Sequence, residues 1–93
     1  MSNEKLTDAE INEQAAQLMD WERQGEMLYR QFYFKDFIVA FEFMTKVAAL
    51  SEQANHHPNW SNVYNKVDIA LTTHEFNSVS QRDFDLARKI DQL

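Results

Sequence analysis

The chain has 93 residues, a formal net charge of −6, one glycine, one proline and no cysteine. Without cysteine there is no disulfide, no cysteine-based zinc finger and no thiol nucleophile. The scattered Lys and Arg of an acidic chain argue against direct nucleic-acid binding, and no stretch approaches the ~18 apolar residues of a membrane span.

One thin-cored domain spanning residues 1–93 is expected. The polar start, Met1-Ser2-Asn3-Glu4-Lys5, is followed by no apolar run, so a secretory signal is not expected. Together with the missing cysteines this fits a cytoplasmic protein.

Thr7-Asp8-Ala9-Glu10 has the form of a capping box. Ile11, Ala15 and Leu18 follow at helical spacing, which predicts a first helix from about Asp8 to Met19. Met27 to Phe34 alternates: Leu28, Phe32 and Phe34 on one side, Tyr29, Gln31 and Tyr33 on the other. With the only glycine at Gly25, this predicts a hairpin turning at Gln24-Gly25-Glu26. Asp36 caps the next helix, whose stripe of Phe37, Ala40, Phe41, Met44, Val47 and Ala48 is widened by Phe43 and Leu50. It should end near Asn55, because Pro58 cannot continue it and pushes His57 into an extended geometry.

Asn62-Val63-Tyr64 and Val67 to Thr72 predict a second hairpin, with Asn65-Lys66 as its turn and Val67, Ile69 and Leu71 facing inward. Phe76 to Val79 is a loop. Ser80 caps a last helix with Asp83 in the third position and Leu86, Ala87, Ile90 and Leu93 as the inner stripe. The order is helix, hairpin, helix, hairpin, helix. That order predicts an α+β fold, a four-stranded antiparallel sheet with helices packed on one face. Apolar residues make up 44% of the chain and seven are Phe, more than a small core absorbs, so self-association is expected.

Chemistry concentrates in Asn55-His56-His57-Pro58-Asn59-Trp60, with Glu52 one turn earlier and the third histidine in Thr72-Thr73-His74-Glu75. Histidine donates and accepts protons near neutral pH, and all three lie at predicted element ends, where sites are built. Three histidines can also hold zinc. The usual signature, however, puts two rings on one face, and adjacent residues in an extended segment point apart. A solvated or structural role is the bland alternative for each histidine. Asp83 falls at the inner edge of the last helix, either as a cap or as a carboxylate that orients or charges a histidine. Trp21, Trp60 and Tyr64 are core candidates that could instead line a flat slot, core being the better reading for Tyr64. No glycine-rich phosphate loop and no nucleophile elbow is present.

Taken together, several stretches resemble the pterin-4a-carbinolamine dehydratase family. They are Glu52, His56-His57-Pro58, Trp60, Tyr64-Asn65-Lys66-Val67, Thr73-His74-Glu75 and Ser80-Gln81-Arg82-Asp83. The likeness extends upstream through Phe32 to Phe37 and Phe43-Met44-Thr45 and covers the chain from Trp21 onward. The resemblance implies dehydration of a 4a-hydroxytetrahydropterin to the quinonoid dihydropterin, without metal or organic cofactor, downstream of aromatic amino-acid hydroxylases. It implies that His56, His57 and His74 surround the pterin, with Asp83 in support. The implied binding segments run from Asn55 to His57 and from Thr72 to Glu75, with Glu52, Pro58, Trp60 and Trp21 as further contacts. His56 and His74 are expected as acid and base, on opposite sides of the ring, and His57 mainly as a contact. The resemblance also implies a homodimer or homotetramer and, in animal members, a partner transcription factor of the homeodomain type. Two residues depart from the family pattern. Asn55 stands where some members carry Asp, and Ser78 where Gly is frequent.

Overall fold

The structure is a computed structural model that describes residues 5–93; the polar start read at Met1 to Glu4 lies outside the described residues. Seven elements follow one another: α1 (Asp8–Gln17), β1 (Glu22–Gln24), β2 (Met27–Tyr33), α2 (Phe37–Ala54), β3 (Asn59–Val63), β4 (Lys66–Leu71) and α3 (Gln81–Asp91). The four strands form one antiparallel sheet in the order β1-β2-β4-β3. The α+β expectation therefore holds, including the two hairpins.

Register explains the one-sided core. Leu28 pairs with Leu71, Arg30 with Ile69 and Phe32 with Val67, and on β4 every second residue is buried. A period of two sends Val67, Ile69 and Leu71 to a single face. There they meet Leu28, Phe32, Val47, Phe84, Leu86, Ala87 and Ile90. Phe43 of α2 packs against Phe32 at 4.7 Å and Phe34 at 4.8 Å between ring centres. The opposite face carries Tyr29, Gln31 and Asp68. Tyr29 Oη and Gln31 Nε2 donate to Asp68 Oδ1 at 2.6 and 2.8 Å. That bond from Tyr29 holds the Asp68 carboxyl below the usual carboxylate range, and the same bond raises the Tyr29 phenol above its ordinary value.

Four expectations need correction. The first helix ends at Gln17, two residues early. The second hairpin begins at Asn59 and turns at Tyr64-Asn65, with Tyr64 in the left-handed region at φ 51°; Tyr64 is exposed rather than core. On α2 the covered side carries Ala40, Phe43, Met44, Val47, Leu50 and Ser51, while Phe37, Phe41 and Ala48 of the expected stripe face outward together with Ile38, at 46, 53 and 68% exposure for Phe37, Phe41 and Ile38. This helix is apolar on two faces, and sequence periodicity cannot rank them when the sheet covers one. On α3, Leu93 is exposed and Phe84 is fully buried instead.

Candidate functional site

The end of α2 sets up the site. Asn55 adopts the left-handed conformation, φ 49° and ψ 45°, and its N–H donates to the carbonyls of Ser51 and Glu52. His56 N–H then donates back to Ser51 O at 3.0 Å. This is the hydrogen-bond pattern of a left-handed C-cap, a position that Asn tolerates better than most residues. The helix stops at Asn55, three residues before Pro58, and the chain turns His56 into the protein and His57 out of it.

His56 is buried, and its Nε2 lies 2.5 Å from Asp83 Oδ1. Asp83 is fully buried on the first turn of α3. Its Oδ2 accepts from Ser80 N–H at 2.8 Å and from Thr73 Oγ1 at 2.8 Å. Because the Thr73 proton goes to Asp83, the 2.6 Å contact between the two hydroxyls is donated by Ser80 Oγ. Ser80 Oγ in turn accepts from Arg82 N–H. The two roles weighed for Asp83 therefore coincide: it caps α3 and it orients His56. An ionised carboxylate only accepts, so Nε2 of His56 carries a proton and Nδ1 is the nitrogen left for a ligand.

His57 takes a different partner, as its adjacency to His56 predicts. Its Nε2 meets Glu52 Oε2 at 2.7 Å, and both side chains are more than half exposed. His74 follows β4 in the loop before α3 and is exposed; among the described residues its ring makes no hydrogen bond.

These segments enclose a cleft of about 360 Å³, lined by Asn55, His56, His57, Pro58, Asn59, Thr72, Thr73, His74, Glu75 and Arg82. All three histidines reach it. Its size is that of a small-molecule site. Of the expected residues, Asn55, Pro58, Thr72, Thr73 and Glu75 join the histidines. Glu52 stands one step back, on His57. Trp60 lies elsewhere, lining an apolar hollow with Phe41, Met44, Thr45 and Ala48. Trp21 is not near the cleft: it is a core residue, edge-on to Phe32, with its indole N–H donating to Asp91 at 2.8 Å. Within this chain Trp21 is therefore a core residue and not a contact of the cleft, contrary to expectation.

Arg82 and Asn59, which the sequence offers only as members of their motifs, also line the cleft. Arg82 donates to Glu75 Oε1 at 2.6 Å and lies 5.8 Å from the Phe76 ring centre. Its Nε is buried and has no hydrogen-bond partner among the described residues. Arg82 neighbours Asp83 on the first turn of α3, which brings it to the cleft. Among the described residues no group of three or more His, Asp or Glu side chains is arranged to hold a metal ion. No helix among them is long and apolar enough to cross a membrane.

Comparison with known proteins points to one family. Residues 4–93 match the family described as Pterin 4 alpha carbinolamine dehydratase. A curated protein of Prochlorococcus marinus (strain MIT 9312), provisionally named pterin-4-alpha-carbinolamine dehydratase, is 44% identical over 88 residues, covering 95% of this chain and 92% of its own. A protein of Sinorhizobium medicae with the same provisional name is 46% identical over 94 residues, covering 99% and 90%. The crystal structure of a transcriptional coactivator/pterin dehydratase from Brucella melitensis superposes with a TM-score of 0.91 at 42% identity, covering 96% of this chain and 97% of that one. A pterin dehydratase-like protein identified as a RuBisCO assembly factor in the alpha-carboxysome gives 0.68 at 28% identity, covering 78% and 87%. Fold, sequence and near-full-length coverage agree, and the chain belongs to the pterin 4 alpha carbinolamine dehydratase family.

Proposed function

We propose that the protein is a hydro-lyase that dehydrates 4a-hydroxytetrahydrobiopterin to quinonoid dihydrobiopterin and water. The observation that carries this reading is the convergence of His56, His57 and His74 on one cleft, with His56 held by the buried Asp83. In the reaction the hydroxyl on the 4a carbon takes a proton and leaves as water. The adjacent ring nitrogen gives up its proton, and a double bond forms between that nitrogen and the 4a carbon. The two transfers need one acid and one base.

His56 and His74 fill these roles, and each such transfer typically supplies ~10²–10⁴-fold. On His56 the working atom is Nδ1, with Asp83 fixing the tautomer through Nε2. His57, Asn55, Pro58, Thr72, Thr73 and Glu75 form the binding wall, Glu52 holds His57, and Arg82, which donates to Glu75, adds positive charge to the cleft. No cofactor takes part. The physiological role is recycling of the tetrahydrobiopterin used by aromatic amino-acid hydroxylases such as phenylalanine hydroxylase, in the cytoplasm. The test is to add the protein to freshly generated 4a-hydroxytetrahydropterin and follow dehydration against buffer.

A second reading rests on the outward face of α2. Phe37 and Ile38 are exposed there, and Phe41 with Met44, Ala48 and Trp60 frames an apolar hollow beside the edge strand β3. Such a surface supports a homodimer or homotetramer, and it also suits an oligomeric module that regulates a partner, a hydroxylase or a transcription factor. The coactivator and assembly-factor titles of the two structural neighbours lend that reading weight. Dehydration that matches buffer, with the oligomer intact, would favour it.

A further inference from the structure

We infer that Glu26, outside the cleft, is a positioning residue for His74 and acts through Ser78. For its kinetic arm this inference rests on the dehydratase reading above; its spectroscopic arm does not.

His56 is held by Asp83 and His57 by Glu52, but the His74 ring has no hydrogen-bond partner among the described residues. Its placement depends on the loop that carries it. That loop is closed by a bridge between Thr73 and Ser78. One of the two bridge bonds is good, Thr73 N–H to Ser78 O at 3.0 Å, and the return bond is long at 3.4 Å. Asn77 within it sits at φ 51°.

Glu26, in the turn between β1 and β2, grips both ends of this loop. Its backbone carbonyl accepts from Thr72 Oγ1 at 2.7 Å, and its Oε1 accepts from Ser78 Oγ at 2.9 Å. The carboxylate is itself aimed. Arg23 approaches the same Oε1 at 3.5 Å while it is held by Asp8 Oδ1 at 2.9 Å and Asn12 Oδ1 at 3.1 Å of α1.

Where Glu26 meets Ser78, the loop borders an open polar hollow of about 310 Å³, lined among the described residues by Lys5 to Asp8, Glu26, Asn77 and Ser78. The hold on the loop there is a polar tie rather than apolar packing, so cutting the tie loosens it. Ser78 is buried at 6% exposure, and its hydroxyl is committed to Glu26. A glycine or alanine at this position has no hydroxyl with which to make the tie.

The experiment compares Ser78→Ala, Glu26→Ala and Glu26→Gln in the full chain. Glutamine keeps the accepting Oε1 and serves as the rescue. With three histidines in the chain, their ring resonances can be resolved individually by NMR. The expected result is that the His74 resonance shifts or broadens in both Ala variants and returns in Glu26→Gln, while those of His56 and His57 stay in place. Kinetically, Ser78→Ala should lower kcat roughly tenfold with little change in KM, as expected for displacing a group rather than removing it. In a His74→Ala background the same substitution should have no further effect. Unmoved His74 signals, all three histidines moving together, a Gln variant that behaves like Ala, or a kcat loss that persists without His74 would each overturn the inference. If wild-type protein fails to dehydrate the pterin, the proposed function falls, and the histidine spectra alone decide the role of Glu26.

Discussion

The Nε2 of His56 and the Oδ1 of Asp83 are 2.5 Å apart, and the carboxylate is fully buried among three donors: His56, Thr73 and the Ser80 amide. One carboxylate thus ties the end of α2, the loop residue Thr73 and the first turn of α3 into a single unit. Asp83→Asn turns part of this acceptor into a donor that faces donors. We expect it to lower the dehydration rate by about 10²-fold or more, since His56 loses its tautomer lock. Leaving buried donors unpaired should also lower stability by about 1–3 kcal/mol, readable in urea unfolding.

The three histidines should separate by kinetic parameter. His56→Ala and His74→Ala should each lower kcat by about 10²–10⁴-fold. His57→Ala should act mainly on KM. Glu52→Gln should do little to stability, under about 1 kcal/mol, because both members of its pair are exposed. Steady-state kinetics on the three histidine variants checks the division, and urea unfolding of Glu52→Gln checks the pair.

Trp21→Phe should spare activity and weaken the fold. It removes the indole N–H that bonds to the Asp91 carboxylate. A hydrogen bond to a charged group is worth about 1.5–3 kcal/mol. Denaturant midpoints should fall while kcat/KM stays within about twofold, the range for a residue remote from the chemistry.

The Tyr29–Asp68 bond predicts a pH signature in stability. The Asp68 carboxyl is lowered, first by the hydrogen bond from Tyr29, so its contribution is present above the unfolded value of about 3.9 and is lost as pH falls through the lower folded value. Tyr29 is raised, first by the same bond, so its contribution is present below the unfolded value of about 10 and is lost as pH rises through the higher folded value. The stability difference between wild type and Tyr29→Phe should therefore be widest near neutral pH and shrink at both extremes. A difference constant across the range would contradict the assignment.

Self-association should depend on the outer stripe of α2. Ile38→Glu or Phe41→Glu places charge on the exposed apolar face and should give a smaller species than wild type in sedimentation. A wild-type monomer at micromolar concentration would remove the proposed oligomer.

Local chemistry made much of this protein legible. The Thr7 and Ser80 caps, the alternation on β4 and the residues around the α2 terminus all act within a few positions. What stayed hidden depends on distant pairings. Trp21 reads as a ligand contact until Asp91, 70 residues away, claims its indole N–H. The covered side of α2 depends on where the sheet lies, and both sides are apolar. Arg82 stands in the sequence as part of a motif, but its place in the cleft appears only when the loop with Glu75 and Phe76 folds back to it.

Proton transfer between a bound pterin and His56 and His74 can be followed in a rapid-mixing experiment in which 4a-hydroxytetrahydropterin is generated in the presence of wild-type protein or the His56→Ala/His74→Ala double variant. The carbinolamine should be lost fast and saturably with wild type and at a rate near that of buffer with the double variant. Equal rates for the two proteins would contradict it.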